Sequence, residues 1–245
     1  MMPDIPAEDR AHYPLDLPML RDGLDLEFTR PVTVLVGANG SGKSTLIEAI
    51  AANCGLSLIG GTRNVAHRAG EDEGLSRWLR FSWALKVGQG YFFRAETFGN
   101  FARLIDDIAD EAGPGDTYAP YGGTSLRARS HGQSVMAILH NQLYSRGIFL
   151  LDEPEAALAP LRQIEFLKQM RRLDLSGKAQ LIIATHSPLL MAYPGADLWQ
   201  LDENGVRPIE FHDTEHFKLL RNFYLNPDGF MAGVMMDAEE EMERN

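Results

Sequence analysis

Gly37-Ala38-Asn39-Gly40-Ser41-Gly42-Lys43-Ser44-Thr45, GANGSGKST, joins two very different stretches of chain. Before it runs PVTVLVG (31–37), β-branched and aliphatic, which reads as a buried strand closed by a glycine. After it, SGKSTLIEAIAANCG (41–55) reads as a helix stopped by Gly55. The nine residues fit G-x-x-x-x-G-K-[ST], and the strand–loop–helix setting separates that pattern from an ordinary glycine-rich turn. Gly37, Gly40 and Gly42 let the backbone turn so that N–H groups of the loop, including those of Asn39 and Ser41, point inward at phosphate oxygens. The helix that opens at Lys43-Ser44-Thr45 adds its positive end. Lys43 supplies a point charge for the β- and γ-phosphates, and the Ser44 hydroxyl suits a Mg²⁺ ion.

A phosphate cradle needs a metal-binding carboxylate and a group to direct water, and a second stretch supplies both. IFLLDEP (148–154) reads as a buried strand delivering Asp152 at its carboxyl end, where ligands collect in such sheets. Asp152 is the candidate to hold Mg²⁺ with Ser44. Glu153 follows and points toward the γ-phosphate side, where a carboxylate can orient and deprotonate water. Glu155 reads as surface or helix-start charge. IIATHSP (182–188) ends a third buried strand on polar residues, and His186 would emerge beside Asp152 if those strands are neighbours. An imidazole there can contact a γ-phosphate.

The rest of the chain fills in an α/β pattern. LDLEF (24–28) reads as a short strand, and SRWLRFSWALKV (76–87) and GYFFRAETF (90–98) as further strand candidates. Helical spacing runs from Thr97 to the breaker GPG (113–115), followed by a loop over 114–129. A helix opens near Ser134, with Val135, Ile138, Leu139 and Leu143 on one face. Pro160 suits a first helical turn, with Leu161, Ile164, Leu167 and Met170 on the inner face. LWQLDENGVRPIEF (198–211) reads as a hairpin around Asn204-Gly205. Asp213 is a candidate cap for a last helix, ahead of an acidic tail expected to fray. Strands alternating with helices predict a mainly parallel central sheet flanked by helices, in a single domain over 1–245. Residues 56–129 interrupt the alternation and are the candidate inserted subdomain.

Composition limits the setting. The 245 residues, 44% hydrophobic, can bury one large core. No apolar run reaches the ~20 residues of a membrane span. MMPDIPAEDRAHYPLDLP lacks the basic start and apolar centre of a secretory signal, and the single cysteine, Cys54, excludes an internal disulfide. The expectation is a cytoplasmic protein. A formal net charge of −11 argues against broad nucleic-acid binding without excluding a local basic patch, such as Arg127 with Arg129, or Arg77, Arg80 and Arg94.

In order, the phosphate loop, SHGQS (130–134), FLLDEPEAAL (149–158) and ATHSP (184–188) resemble the ABC-type ATPase superfamily. In style they are closest to compact stand-alone bacterial AAA/ABC ATPases, and the likeness covers nearly the whole chain. The resemblance implies a P-loop NTPase of the ABC head type that binds and hydrolyses ATP with Mg²⁺. It also implies two ATPs sandwiched in a head-to-tail homodimer. In that arrangement Ser130, Gly132 and Gln133 of one copy face the γ-phosphate held by the other, with the following helix aimed at it. Three positions depart from the family pattern: Arg129 stands for the usual Leu, His131 for the usual Gly, and Ala159 for the usual Asp after DEP. Gln89 and Glu96 both compete for the glutamine-loop position. Tyr13 and Phe28 compete for adenine stacking, and a core role suits either.

The implied function is a soluble ATPase switch acting on a protein partner or on nucleic acid, with DNA repair or phage defence as family-level expectations. The alternatives are the nucleotide-binding subunit of an ABC transporter and a non-hydrolysing ATP-dependent scaffold. Glu153 and His186 weigh against the last.

Overall fold

The computed structural model describes residues 6, 8–63, 65, 74–83, 88–143 and 146–244. The chain divides into two compact units, Met1–Pro208 and Ile209–Asn245. Among the described residues the first is built on six strands: β1 (Val32–Val36), β2 (Gly90–Arg94), β3 (Gly147–Asp152), β4 (Ala179–Ala184), β5 (Ala196–Asp202) and β6 (Gly205–Pro208). They lie in the order β2-β3-β4-β1-β5-β6. The first five are parallel and β6 returns antiparallel to β5 through the Glu203-Asn204 turn. Every residue of β1 and β3 is buried, as expected of strands covered on both faces.

The helices of this unit are α1 (Lys43–Asn53), α2 (Phe98–Ala112), α3 (Pro114–Tyr118), α4 (His131–Gln142), α5 (Pro160–Ser176) and α6 (Pro188–Met191). One face of the sheet carries a hydrophobic core, where Leu46, Ile47 and Ile50 of α1 meet Leu35, Phe92, Leu150 and Ile182 of the strands. Cys54 is buried there, and desolvation pushes its thiol up to about 11. Register sets the site: Arg94 pairs with Asp152, Asp152 with Ala184, and Ala184 with Leu35. The carboxyl ends of β2, β3, β4 and β1 therefore form one line of neighbours, and the loop 37–45 leaves from the last of them.

Several expectations from sequence are corrected. LDLEF is no strand; residues 24–28 join no ladder, and Leu24, Leu26 and Phe28 pack on the core as irregular chain. Ser76–Trp78 of SRWLRFSWALKV fall in a 3-10 turn, Leu75–Trp78, residues 79–83 join no strand, and residues 84–87 of that candidate lie outside the described residues. The loop 114–129 contains α3 and two 3-10 turns. On α5 the inward face is Phe166, Gln169, Met170 and Leu173, while Leu161 is 77% exposed. The apolar spacing 161–164–167 misled because Phe166 and the Gln169 amide fill the interior instead. Gln169 Nε2 donates to the carbonyls of Leu139, at short range, and Leu143.

The second unit consists of α7 (Glu215–Leu225) and α8 (Pro227–Arg244). Thr214, not Asp213, caps α7 by accepting the Phe217 N–H at 3.2 Å. The acidic tail is helical to Arg244. Within this unit Phe223 meets Phe230 edge-on at 5.6 Å. Among the described residues no helix is long and apolar enough to cross a membrane.

Candidate functional site

The loop 37–45 wraps the N-terminus of α1, with Gly42 as N-cap in the left-handed region at φ 95°. A side chain at Gly42 would also run into Met19, whose Sδ and Cε would lie 2.8 Å from its Cβ. Lys43 is buried and its Nζ donates to the carbonyls of Gly37 and Ala38, each at 2.9 Å. The ammonium thus closes the loop on itself with its charge inside the cradle. Burial holds it below the ordinary lysine range, while Glu153, Asp152 and Glu155 pull it back up.

Ser44 donates its hydroxyl to Asp152 Oδ1 at 3.1 Å, joining α1 to the end of β3. Asp152 is almost fully buried, and desolvation pushes its carboxyl up to about 6 against the pull of Ser44 and Arg94. A buried carboxylate touching a hydroxyl beside a phosphate cradle has the donor chemistry of a Mg²⁺ site. Such an ion takes one or two protein oxygens and fills its shell with phosphate and water.

Glu153 has a left-handed backbone at φ 51°, unusual for a residue with a side chain, at a cost of about 1–3 kcal/mol. Its N–H bonds the Ala184 carbonyl at 2.9 Å, which fixes the sharp turn. The turn sends Asp152 and Glu153 different ways, and Glu153, half exposed, lines the cleft. His186 emerges beside it from β4, its Nε2 3.9 Å from Glu153 Oε1.

Glu155 is the residue that sequence reading misjudged. It is no surface charge: its Oε1 accepts the His186 backbone N–H at 2.6 Å and its Oε2 is buried. Burial raises its carboxyl above the usual range, and bonds from Thr185 and His186 partly offset this. Glu155 therefore ties the turn after β3 to the turn after β4 and sets where His186 stands. Glu155→Ala is expected to cost about 1–3 kcal/mol, as the His186 N–H is left unmet. Glu155→Gln keeps an oxygen there and removes the buried charge, so its melting temperature should hold. Thermal unfolding of the pair, with turnover, reads both effects.

The cleft around the loop, about 330 Å³, is lined by Asn39, Gly40 and Gly42–Thr45, by Glu153, and by Tyr13 and Leu17. Tyr13 is 70% exposed and its hydroxyl lies 2.9 Å from Thr45 Oγ1, whereas Phe28 packs on the core. A flat ring over one end of a phosphate cleft can stack a base.

Ser130, Gly132 and Gln133 lie elsewhere; none lines this cleft. The helix opens earlier than its apolar spacing indicated, with Ser130 as the N-cap of α4. Ser130 Oγ accepts the Gln133 N–H at 3.4 Å and Gln133 Oε1 accepts the Ser130 N–H at 3.0 Å. The capping box holds both side chains, while the N–H groups of His131 and Gly132, in the first turn, have no helical acceptor. Gly132 sits against the Ala157 carbonyl, which a Cβ would approach to 2.8 Å. The His131 ring meets Phe98 at a 34° tilt, with the ring centroids 4.7 Å apart. Arg129 is a staple of its own loop, donating to Tyr121 O, Gly122 O and Thr124 Oγ1, and Arg127 pairs with Asp106 at 3.5 Å. Of the two glutamine-loop candidates, Gln89 precedes β2 at the opposite end of the strand, roughly 16 Å from its carboxyl end. Glu96 follows that carboxyl end and pairs with Arg94 at 2.6 Å.

The cytochrome c biogenesis ATP-binding export protein CcmA of Mesorhizobium japonicum is 31% identical over 172 residues, covering 67% of this chain and 82% of that protein. The chain belongs to the ABC ATP-binding proteins. This ABC ATPase is also 31% identical over 170 residues to the thiamine import ATP-binding protein ThiQ of a Ruegeria species, covering 63% of this chain and 70% of that one. It is 32% identical over 188 residues to the hemin import ATP-binding protein HmuV of Streptomyces coelicolor, covering 70% and 66%. Two family models match parts of the chain: an AAA domain over residues 18–68, and an AAA domain described for the AbiEii toxin of a type IV TA system over residues 126–192. The ABC ATPase binds ATP and hydrolyses it.

Proposed function

We propose that this ABC ATPase is a Mg²⁺-dependent switch in which two copies close head to tail over two ATPs. Lys43 and the amides of residues 37–45 hold the phosphates, Ser44 and Asp152 hold Mg²⁺, Glu153 activates water, and His186 contacts the γ-phosphate. Ser130, Gly132 and Gln133 complete the site of the other copy, and residues 56–129, which also lend β2 to the sheet, are the inserted subdomain that leads to that turn. The observation that carries this reading is the separation of the capped turn at Ser130 from the cradle at Lys43. The turn lines none of that cleft, yet it is exposed, with two free N–H groups. A turn so built suits a triphosphate brought by another molecule.

The motion acts on a protein partner or on nucleic acid. The Arg94–Glu96 loop in place of a glutamine, and Ala159 after DEP, support a stand-alone switch, for which DNA repair or phage defence are the candidate settings. The export and import proteins among its relatives support a second reading, a subunit that docks on a membrane transporter. Purified protein is expected to turn over ATP with Mg²⁺ and not with EDTA. In light scattering it should shift from monomer to dimer when Mg-ATP is added with turnover blocked. Turnover in EDTA, or a monomer at saturating Mg-ATP, would count against the scheme. Sedimentation of the ATP-locked form with membranes from the native cell would favour the transporter reading, and its recovery in the supernatant the switch.

A further inference from the structure

Arg94 ends β2 directly beside Asp152, its partner in register. Its side chain is mostly buried and meets three carboxylates at once. Nη1 contacts Glu48 of α1, Nη2 donates to Glu96 at 2.6 Å, and Nε stands 3.6 Å from Asp152 Oδ2. That Nε is buried and makes no hydrogen bond. The guanidinium is therefore held by Glu48 and Glu96 with its third edge turned to Asp152, too far to bond it and near enough to neutralise it. A cation so placed suits a carboxylate that must give up its counter-charge when another cation arrives.

We infer that Arg94 is a positioning residue, the resident counter-cation of Asp152, which Glu48 and Glu96 hold just off that carboxylate so that a divalent ion can take the Ser44–Asp152 pair. This rests on the proposed Mg²⁺ role of that pair. Its consequence reaches past the metal. Glu96 lies on the turn between β2 and α2, so the Arg94–Glu96 pair ties the start of α2 to the edge of the Ser44–Asp152 site. Lys43, the other cation near Asp152, is committed to the Gly37 and Ala38 carbonyls.

The test is a Mg²⁺ titration at saturating non-hydrolysable ATP analogue, read by thermal shift in the full chain. Arg94→Gln is expected to lower the Mg²⁺ midpoint roughly tenfold, because the ion no longer competes with a fixed positive charge. Without metal this variant melts below wild type, and with Mg²⁺ and analogue the gap closes. Arg94→Lys keeps the charge and should stay within about threefold of the wild-type midpoint. Glu96→Gln, an exposed change that spares the fold, lets Arg94 rest on Asp152 and raises the midpoint about threefold. A wild type indifferent to Mg²⁺ removes the metal reading, and this inference with it. A responsive wild type with an unchanged or higher midpoint in Arg94→Gln overturns the role of Arg94 alone, as does an equal melting loss with and without metal. Should Arg94→Gln fail to fold, an unmoved midpoint in Glu96→Gln overturns it.

Discussion

Glu153→Gln is expected to cut ATP turnover by about a hundredfold or more while leaving ATP binding near wild type. The amide keeps the size and the left-handed turn of Glu153, so the Ala184 bond and the Asp152 geometry survive. What goes is the carboxylate that can accept a proton from water. Without the step that reopens the site, Mg-ATP should accumulate a closed dimer. Single-turnover kinetics and light scattering on one preparation check both halves. Loss of ATP binding together with turnover would show that Glu153 holds nucleotide rather than water. Glu153→Gln with wild-type turnover would transfer the base to another group, and Glu155, pointed at the His186 backbone, is poorly placed to take it.

The sheet, and the edge where the candidate residues gather, were legible because each of those residues sits just past a continuous apolar run. Gly37 follows β1, Asp152 ends β3 and His186 lies just past β4, strands buried almost throughout that leave no alternation to misread, and parallel order then brings their ends together. Glu155 was not legible. Its sequence setting, DEPEAAL, looks like a helix start, and only the neighbouring turn after β4 gives its carboxylate a partner. The Arg94 network is hidden for the same reason. Asp152 meets Arg94 through strand register and Glu48 meets it from α1, both distant in sequence, and only Glu96 is local. The inner face of α5 failed differently. Helical spacing identifies an apolar stripe but cannot say that a glutamine amide is wanted by two helix-end carbonyls. The strand reading of LDLEF failed because alternation alone supplies no neighbouring strand to pair with.

Ser130→Arg should abolish turnover while leaving binding of ATP to the monomer unchanged, since Ser130 lines no part of the cradle. The substitution breaks the capping box, a loss of about 1 kcal/mol that the fold can bear. It also puts a long side chain over the first-turn N–H groups of α4. Lys43→Ala fails for the opposite reason: the cradle loses its internal charge and ATP affinity falls. Neither variant should work alone. Mixed, they form dimers in which one site joins both defects and the other joins the intact cradle of the Ser130→Arg chain to the intact turn of the Lys43→Ala chain. With random pairing, about a quarter of wild-type sites are then whole, and turnover should return to at most that share. A site contained within one chain predicts no recovery on mixing, and full turnover by Ser130→Arg alone would leave the turn without its role. The assay separates a shared active centre from a private one using residues more than eighty positions apart that never touch within a single copy.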